Sequence, residues 1–310
     1  MKSGSVAFVG RPNAGKSTLL NQLLPEKLAI VSDKPQTTRN RLMGILTDDS
    51  RGQIVFYDTP GVHKPQHQMN RQMIKSAQEA LNDADVVCLL VDASVRHGGG
   101  DEYMLQWLEK SDARKVLLLN KIDKVRKPEL LPRIAIYHDT GLFDEIVPIS
   151  ALRADGTDIV LDLLWQMLPE GEPSYDPDLL TVHPERFLVA ERIREKVLER
   201  TDEELPFSTA VLIESWEEKS DDEEPNLDEG PDLVVIHASI LVERPGQKKI
   251  VVGSKGNTVR SIGIAARHDL EEYLGCRVYL DLKVRLEPRW RENPRILTEL
   301  DKAPFAVGLG

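Results

Sequence analysis

A chain of 310 residues with a net charge of −11, 41% hydrophobic and 29% charged residues has the balance of a globular protein long enough for two domains, which excludes the fibrous and disordered classes. Its two cysteines, Cys88 and Cys276, stand too far apart and too isolated for a disulfide framework or a zinc site, and they fit a reducing cytosol. No apolar run approaches the ~18 residues of a membrane span, and Met1 to Gly10 is too short for a signal peptide.

Short β-rich runs at 5–9, 53–57, 86–91, 116–120 and 146–149 alternate with stretches of helical period. That pattern predicts an α/β domain with a doubly wound, mostly parallel sheet. Residues 44–48 and 53–57, parted by the turn-like Asp49-Ser50-Arg51-Gly52, predict an antiparallel hairpin at its edge. Met69, Met73, Ala77 and Leu81 step by four along one helix face, and Ile159, Val160, Leu163, Leu164 and Met167 mark the helix that closes the domain at about 168. Helix breakers from Pro169 to Pro177 predict an inter-domain linker over 169–182. A second domain, 183–310, opens with a helix over 185–200, then strands near 208–215 and 233–242. Between those strands, Glu217 to Asp232 holds nine acidic residues and one lysine and reads as a solvated hairpin loop, turned away from any nucleic-acid path.

Gly10-Arg11-Pro12-Asn13-Ala14-Gly15-Lys16-Ser17 satisfies G-x-x-x-x-G-K-[ST] directly after the strand at 6–9, and a helix opens at Thr18. The glycines let backbone N–H groups wrap phosphates at a helix N-terminus, where Lys16 reaches the β- and γ-phosphates and Ser17 ligates Mg2+. A chance Gly-rich turn would not need this strand-loop-helix setting. Asp58-Thr59-Pro60-Gly61 ends the strand at 54–57, where the Asp58 carboxylate serves Mg2+ and the Gly61 amide meets the γ-phosphate; alone, D-x-x-G is a common turn. Asn120-Lys121-Ile122-Asp123 ends the strand at 116–119. The Asp123 carboxylate accepts from both guanine N1–H and N2–H2, a donor pair adenine lacks, so the expected nucleotide is GTP or GDP. Ser150-Ala151 fits a backbone contact to guanine O6. Val62 stands where many GTPases carry the glutamine that orients the attacking water, so slow turnover resting on loop charges and Mg2+ is expected. The adjacent His63 reads as a surface histidine rather than a base.

Gly253-Ser254-Lys255-Gly256 lies between the apolar run 250–252 and a helical pattern from Asn257 to Leu274 that carries Val259, Ile262, Ala266 and Leu270. A G-x-x-G between helices lets two glycines bring the backbone against a nucleic-acid backbone, beside an apolar groove for about four bases. By itself the signal is weak. The order helix, strand, strand, helix, G-x-x-G, helix and a strand over 277–286 resembles a type II KH domain. From Arg244 to Arg295 twelve Lys and Arg face six Asp and Glu, a basic segment inside an acidic chain. Lys255, Arg260, Lys283 and Arg285 are the candidates for the loop and the strand-facing groove, although each alone is an ordinary solvated charge.

Four nucleotide motifs in this order resemble the translation-factor-like GTPases. The phosphate loop and Lys34-Pro35-Gln36-Thr37-Thr38-Arg39 look like the Era family of bacterial GTPases, as do Arg186-Phe187, Ala190-Glu191, 193–196, Glu204-Leu205-Pro206-Phe207-Ser208 and 261–267. The resemblance spans nearly the whole chain. It implies that Thr38 coordinates Mg2+ in the GTP state, with Thr37 as the competing candidate. It further implies an assembly GTPase for the 30S subunit whose KH domain grips single-stranded ribosomal RNA near its 3′ end, with GTP as timer; a monomer is expected. Related GTPases with the same loop use the asparagine at the Asn13 position to hold K+, so Asn13 joins Lys16, Thr38 and Gly61 as a catalytic candidate. The family also implies peripheral contact with the inner face of the membrane, although no basic amphipathic helix or lipidation motif is present. An RNA-binding scaffold with GTP as a conformational latch is the alternative of another class. A tRNA-modification or metal-transport GTPase is opposed by the KH-like half and the lack of membrane spans. The acidic stretch is longer than the family pattern, and the tail after Trp290 matches none.

Overall fold

The structure, a computed structural model, describes residues 1–300 apart from 33, 35, 36, 40, 62–67, 202–204, 206, 207 and 221–230. It divides into two compact units, Met1–Val182 and His183–Gly310.

The first unit runs β1 (Lys2–Gly10), α1 (Lys16–Leu23), β2 (Leu42–Asp48), β3 (Gly52–Asp58), α2 (Gln68–Asp83), β4 (Val86–Asp92), α3 (Gly99–Leu108), β5 (Arg114–Asn120), α4 (Lys127–His138), β6 (Glu145–Pro148) and α5 (Thr157–Met167). The sheet order is β2-β3-β1-β4-β5-β6, with β2 antiparallel to β3 and the other pairs parallel. Helices on both faces demand strands that are apolar throughout, and Val6 to Val9 and Val116 to Leu118 are fully buried. The strand order reverses at β1, so the loops after β1, β3 and β5 share one crevice at the carboxyl ends of the strands.

Residues 169–182, expected as a linker, group with the first unit. Pro169 O accepts from Ser3 N, and Ile45 N donates to Leu180 O at 2.8 Å. The buried Gln53 accepts from the amides of Ser174 and Tyr175 at 2.9 Å each and donates to Tyr175 O at 2.9 Å. The breakers therefore give an extended strap that supplies partners to the edge strand β2, whose backbone groups would otherwise stay unpaired.

The second unit runs α6 (Glu185–Glu199), β7 (Ala210–Lys219), β8 (Leu233–Val242), α7 (Pro245–Val252), α8 (Asn257–Leu274), β9 (Arg277–Leu286) and α9 (Pro294–Leu300). In its three-stranded sheet β8 is central, antiparallel to β7 and parallel to β9. Val189, Ile193 and Val197 of α6 and Ile262, Ala266 and Leu270 of α8 form the core with Val234, Ile236, Ala238 and Ile240. β7 starts later and runs further than expected. Ser208 and Thr209 are held in a turn by Leu205 O instead, while Glu217 to Lys219 pair with β8. The acidic stretch thus begins inside a strand, and its residues 221–230 lie outside the described ones.

Candidate functional site

Gly10, with φ 153°, ends β1, and an added Cβ would press on Leu90 O. The loop then turns on Arg11 O, which accepts from Ala14 N at 3.2 Å, and Asn13 sits in the left-handed region at φ 62°. Gly15, at φ 97°, precedes α1, and a side chain there would collide with the Asn120 amide, so only glycine fits. The Arg11 side chain pairs with Asp101 of α3 at 3.1 Å. Pro12, Asn13, Gly15, Lys16, Ser17 and Thr18 line the cleft above.

Lys16 and Asp58 are both buried. Burial pushes the Lys16 ammonium down, opposed by the Asp58 charge. Burial pushes the Asp58 carboxyl up, opposed by Lys16 and by hydrogen bonds from Ser17 and Thr38. Ser17 Oγ lies 2.6 Å from Asp58 Oδ2 and 2.8 Å from Thr38 Oγ1, which itself lies 3.1 Å from Asp58 Oδ2. Asp58 Oδ1 is buried with no hydrogen-bond partner among the described residues. Three hard oxygen donors and an orphaned carboxylate oxygen fit a divalent cation such as Mg2+, and a cation with phosphates would relieve the desolvation of both charges. Thr37 lines the same cleft, but its hydroxyl donates to Lys34 O at 2.7 Å and not to the Ser17–Asp58 cluster. Thr59 Oγ1 is buried on Phe8 O at 2.7 Å, Pro60 is buried, and a Cβ on Gly61 would lie 2.7 Å from the Pro12 backbone. The loop after β3 is thus in close contact with the phosphate loop. Val62 and His63 lie outside the described residues.

Asn120 acts as a strut. Its Nδ2 donates to Ala14 O at 2.8 Å, and its Oδ1 accepts from Lys121 N and Ala151 N at 2.8 and 2.9 Å. The Ala151 amide, expected to face guanine O6, is engaged by Asn120 here. Ser150 Oγ donates to Asp123 Oδ1 at 2.6 Å and so fixes the carboxylate that faces the cleft. Lys121 holds φ 65°, and its ammonium pairs with Asp92 at 2.7 Å. No sequence pattern points to Asp92, although it ends an evident strand, because its partner is 29 residues away.

In the second unit the two glycines of the G-x-x-G do different work. Gly253 has φ 73° and ψ 179°, a glycine-only conformation, and a Cβ would collide with Thr258 Oγ1. Gly256 has φ 78°, precedes α8, and has nothing within 4 Å of an added Cβ. Ser254 and Lys255 join them in a short 3-10 turn, with Lys255 left-handed at φ 52°. Beside this turn, α8 and β9 enclose a groove of about 280 Å3 lined by Val259, Arg260, Gly263, Ile264, Arg267, Leu280 and Leu282. Arg260 is in the groove as expected, and Arg267 joins it unforeseen. Lys283 and Arg285 are not. Alternation turns Leu280, Leu282 and Val284 toward the core, and Lys283 and Arg285 to the other face of β9. There they pair with Asp281 and Glu214, each at 3.1 Å.

These two sites on these two folds define a P-loop GTPase domain followed by a KH domain. Residues 5–121 match the family model described as 50S ribosome-binding GTPase, and residues 212–291 match that of the KH domain. The chain is 46% identical over 301 residues to GTPase Era of Leuconostoc citreum (strain KM20), covering 96% of each chain. It is 44% identical to that of Syntrophus aciditrophicus (strain SB), covering 96% of this chain and 94% of that one. A crystal structure of Era with MgGDPNP and nucleotides 1506-1542 of 16S ribosomal RNA is similar with a TM-score of 0.90 and 39% identity, covering 97% of this chain and 98% of that one. A crystal structure of an Aquifex aeolicus Era variant bound to GDP.AlF4- has a TM-score of 0.89 and 38% identity, covering 97% and 99%. The chain belongs to the Era family of GTPases.

Proposed function

We propose that this chain is a GTP-hydrolysing switch that binds small-subunit ribosomal RNA and acts in assembly of the 30S subunit. The observation that carries it is the convergence of Ser17, Thr38 and Asp58 beside Lys16, in one chain with the G-x-x-G groove. The matched GTPase model is named for the large subunit. The 16S fragment held by the solved Era favours the small one. Lys16 holds the β/γ-phosphates, Asp123 the guanine edge, and Ser17, Thr38 and Asp58 a Mg2+ that, when bound, neutralises charge on the phosphates. Gly253 to Gly256, Arg260 and the apolar wall of the groove take single-stranded bases and backbone. Crosslinking the chain to RNA in cells and sequencing the RNA tests this, and recovery of no 16S sequence would sink it.

No helix among the described residues is long and apolar enough to cross a membrane. We place the chain in the cytosol as a monomer. Peripheral contact with the inner membrane face rests on the family resemblance alone, and flotation with anionic vesicles checks it. The latch alternative differs in outcome, since a latch would release RNA on nucleotide exchange without hydrolysis.

Asn13, left-handed in the phosphate loop and lining the cleft, is proposed to hold a K+ that offsets charge developing on the phosphates, in place of the glutamine that Val62 does not supply. Hydrolysis is then expected to run roughly tenfold faster in KCl than in NaCl at equal ionic strength. Asn13→Ala should erase that difference and leave GDP affinity nearly intact. Equal wild-type rates in the two salts would end the proposal.

A further inference from the structure

Arg41 belongs to none of the nucleotide motifs, yet it touches the strand and the helix that adjoin them. It stands three residues after Thr38 and directly before β2, whose ladder begins with Leu42 opposite Asp58. Its guanidinium lies 4.2 Å from the ring centroid of Tyr57, the residue before Asp58. Its Nη1 lies 2.9 Å from Asp83 Oδ2, at the last residue of α2. The Arg41 side chain is only 13% exposed, against 54% for Asp83.

Each contact has a physical reason. The last turn of α2 holds no basic residue, so its C-terminal dipole and the Asp83 carboxylate both favour a cation supplied from elsewhere. A planar guanidinium can stack on an aromatic face and bond a carboxylate at the same time, and an ammonium does this less well. Arg41 is therefore a tie between three pieces. These are the segment that carries Thr38, the strand that ends in Asp58, and the helix that the chain enters after Gly61 and 62–67.

We propose that Arg41 is a positioning residue that holds the Thr38-bearing segment against the Asp58 strand and α2, and so determines how strongly the site prefers the triphosphate over the diphosphate. This rests on the reading of Thr38 as a ligand of Mg2+ in the triphosphate state. Loosening the tie raises the cost of closing Thr38 onto the cation, which the triphosphate state needs and the diphosphate state does not.

Binding of MgGDPNP and of GDP to the full chain tests it in Arg41→Met, Arg41→Lys, Thr38→Ala and the Thr38→Ala, Arg41→Met double variant. Arg41→Met keeps apolar cover on Tyr57 and should weaken MgGDPNP about fivefold to tenfold while moving GDP by less than about twofold. Arg41→Lys, which keeps the charge but stacks and pairs less well, should recover only part of the loss, and Arg41→Met should add nothing in the Thr38→Ala background. Equal losses for both nucleotides, or full additivity with Thr38→Ala, would overturn the proposal, because a general structural role predicts them. If Thr38→Ala lowers MgGDPNP affinity and Arg41→Met does not, this inference fails and the role of Thr38 stands. If Thr38→Ala leaves the preference unchanged, the role of Thr38 fails first, and this inference falls with it. Asp83→Asn removes the pair from the helix side and is read the same way should Arg41→Met not fold.

Discussion

Asp123→Asn is expected to weaken GTP and GDP binding by about a hundredfold or more and to shift preference to xanthosine nucleotides. The carboxylate is already oriented by Ser150 Oγ at 2.6 Å and needs no rearrangement to accept from guanine N1–H and N2–H2. Hydrogen bonds to a charged group contribute about 1.5–3 kcal/mol each. An amide keeps one acceptor and sets an N–H against the guanine amino group, so one bond is lost, the other loses its charge, and two donors face each other. The sum of about 3–4 kcal/mol corresponds to about two to three decades in Kd. Xanthine presents a carbonyl where guanine presents the amino group, and the new N–H of Asn fits it. Titration of both nucleotides against both proteins checks this, and unchanged GTP affinity would remove Asp123 from the base contact.

The nucleotide site is legible in the sequence because its chemistry needs fixed residues at fixed spacing after strands, and strands such as β1 and β5 announce themselves as unbroken apolar runs. What spacing cannot resolve is direction. Thr37 and Thr38 are adjacent hydroxyls, and only the folded backbone sends the first to Lys34 O and the second to Ser17 and Asp58. Charge alone points Lys283 and Arg285 to the groove, although the apolar parity of Leu280, Leu282 and Val284 already marks the opposite face. The strap at 169–182 is not legible, since prolines and glycines read alike in a linker and in an extended segment. What distinguishes them is Gln53, more than 120 residues away. The ties of Arg41 to Asp83 and of Lys121 to Asp92 have the same character, spanning 42 and 29 residues without a local pattern.

Gly256→Asp is expected to abolish RNA binding, by about a hundredfold or more, while GTP hydrolysis in the absence of RNA keeps its wild-type rate. The expectation differs sharply from that for Gly253, although both glycines belong to one short motif. At Gly253, ψ near 180° with positive φ is open to glycine alone, and a Cβ would strike the Thr258 hydroxyl, so Gly253→Asp should lower the melting temperature of the second unit before it bears on RNA. At Gly256 the left-handed backbone is one that Asp tolerates at a cost of roughly 1 kcal/mol, and the space around an added Cβ is open. The folded unit therefore accepts the side chain, and what it loses is the empty approach to the turn. A carboxylate placed there meets a phosphate backbone with like charge, at a turn whose neighbour Lys255 would otherwise attract it. Thermal melting, single-stranded 16S RNA binding and GTP turnover of the two variants separate the cases. Wild-type RNA affinity in a folded Gly256→Asp protein would remove this turn from the interface.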